Sequence, residues 1–186
     1  MFASDAVVGI DIPIGLPESG ARACDIEARA RVGARRSSVF PAPARCVLTV
    51  SSYADARRVL AERGGPSMSA QAFGIVRAIK SVDHVLTPAR DTHVVETHPE
   101  VSFAAMRGSE LTPKKTAAGV AQRMAALSDW IDVFSAVERA PVGVPIDDAL
   151  DALACAWSAH RFARGEATVL GDGQCDSRGL PMRIVV

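Results

Sequence analysis

None of the four cysteines, Cys24, Cys46, Cys155 and Cys175, stands in a C-x-x-C spacing with another. Neither a thiolate zinc site nor a disulfide framework is suggested, and a reducing cytoplasm is the simplest home. No run of about 18 apolar residues occurs, so the signature of a membrane-spanning helix is absent. The stretch Met1 to Leu16 has no basic segment and carries Asp5 and Asp11 among its apolar residues, unlike a secretory leader. An excess of one charge is also missing, because 21 Lys and Arg face 21 Asp and Glu. No bulk positive field draws the chain onto nucleic acid, so such binding would need local patches. There is no internal repeat, no low-complexity linker and no G-x-x-x-x-G-K-[ST] loop, which argues against a P-loop nucleotidase.

What remains is 186 residues, 48% hydrophobic and 23% charged, the balance of one folded domain with a real core. Ala6 to Ile12 is an apolar run closed by Pro13, Gly15 and Pro17, and reads as a parallel strand buried on both faces. A second strand is expected over Thr92 to Thr97. Helices are expected at 21–33, 53–63 (capped by Ser51 or Ser52) and 69–82, the last with Ala72, Ile75, Val76 and Ile79 on one face. After the second strand, Pro99 suits a first helical turn with Thr97 or His98 as cap, and Pro113 repeats that design behind Thr112 over 113–127. A short helix near 129–138, a Pro-rich loop from Pro141 to Pro145, and a helix over 147–164 with Leu150, Leu153, Ala154 and Trp157 on its apolar face follow. Ala167 to Leu170 and Met182 to Val186 are short strand candidates. Parallel strands separated by helices give an α/β architecture, in which ligands bind beyond the carboxyl ends of the strands.

Carboxylates gather at those ends. Asp11 closes the first strand and Glu96 the second. Asp148 and Asp151, three apart, share a helix face, with Asp147 beside it. Acids converging at one sheet edge repel one another unless a cation neutralises them. Oxygen donors without thiolate favour Mg²⁺ or Mn²⁺, and phosphoryl transfer is the chemistry that uses such a site. Plainer roles are open for each acid. Asp147 and Asp148 suit the dipole of a first helical turn, Asp11 could hydrogen-bond the following turn, and Glu96 could pair with an arginine. His98 could bind metal, act as a base or simply hold a hydrogen bond. Arg22, Arg29, Arg35, Arg36 and Arg45 cluster in sequence and could grip phosphates, or form a solvated face. Lys114 and Lys115 would open a helix, where positive charge opposes the dipole, and that misfit favours ligand binding.

Several motifs, in order, resemble the family filed as domain of unknown function 429, predicted ribonuclease H-like nucleases. They are Ile10-Asp11-Ile12-Pro13-Ile14-Gly15-Leu16-Pro17, Arg22-x-Cys24-Asp25-x-x-Ala28-Arg29, Ser37-Ser38-Val39-Phe40-Pro41-x-Pro43-x-Arg45, Glu96-x-His98-Pro99-Glu100-Val101-x-Phe103, and Asp147-Asp148-x-x-Asp151-Ala152-Leu153-Ala154-x-Ala156-Trp157. The last is also similar to the closing helix of RuvC-like Holliday-junction resolvases, whose metal-binding acids would fall on Asp148 and Asp151. The resemblance implies a ribonuclease H-like α/β fold and metal-dependent cleavage of nucleic acid. On that reading Asp11, Asp148 and Asp151 bind Mg²⁺ or Mn²⁺ and Glu96 assists. Arg22, Arg29, Arg36, Arg45, His98, Lys114 and Lys115 hold the substrate. The family pattern begins with strands ahead of the I-D-I-P segment, the first bearing an aspartate. The expectation is therefore a single domain, 1–186, lacking those strands, short of one ligand, and open at a sheet edge to self-association. A catalytically inactive scaffold serving binding or assembly, and a small phosphohydrolase, are the alternatives.

Overall fold

The structure, a computed structural model, describes residues 6–88, 93–109 and 111–186. Residues 1–5 and Thr92, which the sequence reading used, lie outside the described residues. Strand β1 (Val8–Ile10) pairs in parallel with β2 (Val94–Glu96), Val8 opposite Val94 and Ile10 opposite Glu96. At the chain's end, β3 (Val169–Leu170) and β4 (Ile184–Val185) pair antiparallel. A parallel bridge between Thr97 and Val185 joins the two pairs in the order β1-β2-β4-β3. The fold is mixed α/β, with about 51% of the described residues helical around this small sheet. Among the described residues β1 has a partner on one side only and is half-buried, where the sequence suggested burial on both faces.

The helices are α1 (Ala23–Arg31), α2 (Tyr53–Glu62), α3 (Ala70–Gly74), α4 (Val76–Val85), α5 (Pro99–Arg107), α6 (Ala117–Ser128), α7 (Val133–Glu138) and α8 (Ile146–Ala163). Short 3₁₀ turns at Gly33–Ser38 and Arg45–Thr49 bracket the proline-containing stretch between α1 and α2. Ser52 caps α2 by accepting from the Asp55 N–H, one of the two caps expected. Two expectations change. The helix expected over 69–82 is two, because Gly74 ends α3 and α4 restarts after Ile75. The helix expected from 113 starts four residues later, because the Thr116 side chain takes the Gly119 N–H as its cap and the Pro113 carbonyl receives the Thr116 N–H. Lys114 and Lys115 therefore precede α6 instead of lying in its first turn. All four cysteines are free thiols. No helix among the described residues is long and apolar enough to cross a membrane.

The sheet is covered on both faces, as strand alternation requires. Val95 and Val185 pack with Ala159 of α8, while Ile184 and Val186 pack with Cys24 and Ala28 of α1. Gly9 lies on the α8 side. A Cβ built there would stand 2.4 Å from the Cys155 carbonyl oxygen and 3.0 Å from the Thr97 methyl. This absence of a side chain lets the strand bearing Asp11 run directly against the helix bearing Asp151. A Gly9→Ala variant should lose roughly 1–3 kcal/mol through overpacking, read as a lower urea midpoint at unchanged slope. An unshifted midpoint would contradict the close approach.

Candidate functional site

The carboxyl ends of β1 and β2 open into a cleft of about 690 Å³, walled by Asp11, Glu96, His98, Glu100, Lys114 and Asp151, with Arg35, Ser37 and Ser38 from the first 3₁₀ turn. The alternation that covers the sheet also divides its acids. Gly9 and Thr97 face α8, which puts Asp11, the next residue on that side, towards Asp151. Glu96, paired with Ile10, falls on the α1 side and meets Arg22.

On the α1 side the charges are already matched. The Arg22 guanidinium is buried and donates to both Glu96 oxygens at 2.7 Å, to both Asp25 oxygens at 2.6 and 3.1 Å, and to the carbonyls of Ile14 and Gly15. The Ile14 N–H donates to Glu96 Oε2 at 2.7 Å, and the Ala42 N–H donates to Asp25 Oδ2. Burial pushes Glu96 up to about 7 while Arg22 pulls it down, and the two carboxylates hold Arg22 firmly charged despite its burial. Of the roles open to Glu96 in the sequence, the arginine pair is the one formed. Arg22 is the arginine concerned, and neither side chain is free to grip a substrate in this arrangement.

On the α8 side the charges face the cleft. Lys114 donates to Asp151 Oδ2 at 2.6 Å, and its Nζ lies 3.8 Å from Asp147. Asp151 Oδ1 is buried without a partner, as is His98 Nδ1. Asp11 keeps solvent access at the cleft mouth. The protein around it nevertheless pushes its carboxyl pKa up; His98 and Lys114 pull it down, and Asp151 adds to the rise. Burial also raises Asp151, against the pull of Lys114. Burial alone would lower Lys114, yet its hydrogen bond to Asp151 and the nearby Asp147 and Asp148 raise it and keep it charged.

Glu100, in the cleft wall, joins Arg35 at 2.9 Å to the fully buried Arg123 at 2.8 Å. Arg123 also donates to the carbonyls of Thr112 and Gly119, fixing the turn that carries Lys114. Arg123 did not stand out in the sequence, since an arginine in an alanine-rich helix carries no spacing signal, and Glu100 appeared there only within the family motif, without a role of its own.

Other expected site residues are dispersed. Asp148 is exposed and does not wall the cleft; Asp147, four residues before Asp151, takes the place beside Lys114. Arg29 donates to the Val39 carbonyl at 2.6 Å. Arg36 and Lys115 are exposed, outside the cleft wall. Arg45 belongs to a separate cleft, bound to Asp83 and Asp176. Among the described residues, no three His, Cys, Asp or Glu side chains are already gathered as a metal-ligand set. The cation beside the acids is Lys114. The donor set nonetheless suits a hard divalent ion, because Asp151 keeps an orphaned buried oxygen and its charge adds to the cost of ionising Asp11.

A protein-family model described as a protein of unknown function (DUF429) matches residues 1–174. No curated protein and no solved structure matches the chain.

Breaking the Arg22 cluster should be costly. Arg22→Met leaves Glu96 and Asp25 buried without their counter-charge, and a loss of about 3–5 kcal/mol is expected. The exposed Arg36→Met should stay within about 0.5 kcal/mol of wild type. Denaturant unfolding of the two variants checks this, and equal small effects would refute the structural role given to Arg22.

Proposed function

The chain belongs to the DUF429 family of proteins of unknown function, and from that premise we propose a metal-dependent nuclease of ribonuclease H-like fold. Its reaction would be hydrolysis of phosphodiester bonds in the cleft between Asp11 and Asp151. The observation that carries this reading is the pairing of those two carboxylates across the strand–helix contact. Both have raised pKa values, both lean on the same lysine, and one oxygen is left without a partner. A parallel strand ending in an acid, crossed by a helix bearing a second, supports the ribonuclease H-like assignment.

Asp11 and Asp151 would hold Mg²⁺ or Mn²⁺, with Asp147 next in reach once Lys114 moves off. Such an ion supplies a Lewis acid and lowers the pKa of water. The chain's own groups do the remainder. Lys114, released from Asp151, neutralises phosphate charge as a point cation on a flexible stem. His98, the imidazole in the cleft wall, hands a proton to or from the reacting oxygens. Arg22 and Glu96 act as positioning residues that hold the Ile14–Gly15 turn behind Asp11.

A second reading has one specific observation in its favour. Lys114 already pairs with Asp151, which suits an inactive scaffold that binds without cutting. One experiment separates the two. Labelled single- and double-stranded DNA, RNA, hybrid and four-way junction are incubated with the chain in Mg²⁺, Mn²⁺ or EDTA. Cutting should need the metal and fall at least about 100-fold in Asp11→Asn and Asp151→Asn, beyond the roughly 10–100-fold typical of outer-shell changes. Asp148→Asn, altered on the exposed side of α8, should keep most of the activity. Cleavage of none of these substrates leaves the scaffold reading standing, and cleavage that survives both aspartate changes removes the site.

A further inference from the structure

A second cleft lies along α4 and shares no wall residue with the acidic one. It encloses about 580 Å³ between α4 and the Arg45–Thr49 turn. Four cations, Arg45, Arg77, Lys80 and Arg178, line it against one carboxylate, Asp83, with His84 at its side. In a chain whose charges cancel, that is a marked local excess of positive charge.

The cations are of two kinds. Arg45 and Arg178 are anchored. Arg45 binds Asp83 at 3.1 Å and also Asp176, and Arg178 binds Asp83 at 2.8 Å and the carbonyls of Asp83 and Leu86. The carboxylates are thereby matched. Arg77 and Lys80 are exposed and make no ion pair or side-chain hydrogen bond among the described residues, and the exposed imidazole of His84 follows them on the helix. They recur at i, i+3 and i+7 of α4, one face of a helix, rising about 4.5 and 6 Å between neighbours. A single compact anion would need several donors converging on one point. Two free cations with an imidazole hydrogen-bond donor beyond them, spaced a few ångströms apart, instead suit a chain of repeated negative charges, and nucleic acid carries one phosphate per about 3.4 Å of each strand. The row also points back to the acids. Gln71 and Ile75, just before α4, wall the acidic cleft, and from Ile75 to His84 the chain advances about 13.5 Å, some four phosphates.

We propose that the α4 cleft is a sequence-independent binding track for the phosphate backbone of nucleic acid, which leads a strand to the acidic cleft. The choice of polymer rests on the nuclease reading, but the track itself requires no cleavage. Its ligands would be phosphates alone, so it should bind strands of any sequence with strong salt dependence.

The test is fluorescence anisotropy of a labelled single-stranded oligonucleotide with the full chain in EDTA, where cutting is suppressed, over a series of salt concentrations. Arg77→Glu/Lys80→Glu should weaken binding at least 10-fold at low salt and flatten the log–log salt slope by about 1.4, two contacts at about 0.7 each. Arg63→Glu/Arg139→Glu makes the same change in net charge on exposed residues elsewhere and should weaken binding much less. Circular dichroism checks the fold, and Arg77→Gln/Lys80→Gln replaces the first variant should the charge reversal unfold it. Equal weakening by both pairs, or none by the α4 pair, overturns the track while leaving the nuclease reading intact. Absence of binding by the wild-type chain to this strand or to any duplex removes both.

Discussion

The guanidinium of Arg22 ties together pieces of chain far apart in sequence. It holds Glu96 at the end of β2, Asp25 at the start of α1, and the carbonyls of Ile14 and Gly15 in the turn that follows β1. Asp25 extends the network to the Ala42 N–H in the proline-containing stretch. A charge this deeply buried is tolerable only because its hydrogen bonds are so completely answered. It also sets the geometry around it, since the turn after β1, the end of β2 and the start of α1 cannot move independently. The cleft lies above this base, and the position of Asp11 follows from the turn the cluster secures.

The same constraint explains why acids that look equivalent in the sequence have different fates. Asp11 and Glu96 both sit at carboxyl ends of parallel strands, but strand alternation sends them to opposite faces of the sheet. Glu96 is thereby committed to Arg22. Asp11 meets α8, which can come close because Gly9 offers no side chain to the Cys155 carbonyl. The Glu100–Arg123 pair supports the far wall, and Arg123 reaches the turn that presents Lys114. One face of the sheet is thus a neutralised base, and on the other Asp151 pairs with Lys114 while His98 and Lys114 together draw Asp11 down.

Much of the frame was legible in the sequence. The apolar runs ending in Asp11 and Glu96, the proline opening α5, the Ser52 cap and the long apolar face of α8 each carry a local signal strong enough to survive packing. Three features had no such signal. Thr112 and Thr116 are both plausible caps near Pro113, and only the hydrogen bond to the Gly119 N–H decides between them. Asp147 and Asp148 lie within one turn, so either can share a side with Asp151; the approach of Lys114 selects Asp147, at i, i+4. The sequence cluster of arginines separates in space. Arg22 is buried, Arg35 stands at the cleft wall, and Arg45 lies in the α4 cleft, because the stretch between the two 3₁₀ turns carries the chain away from the site.

The central claim is that Asp11 and Asp151 form a cation site in which Lys114 stands in for a divalent ion. Titration of the purified chain with Mn²⁺, followed by the loss of the free-ion paramagnetic resonance signal, addresses it without any substrate. The account predicts saturable binding by the wild-type chain, lost in Asp151→Asn and in Asp11→Asn and strengthened in Lys114→Met, where the competing ammonium is gone. Binding that is absent from the wild type and from Lys114→Met, or that is indifferent to both aspartates, would contradict it.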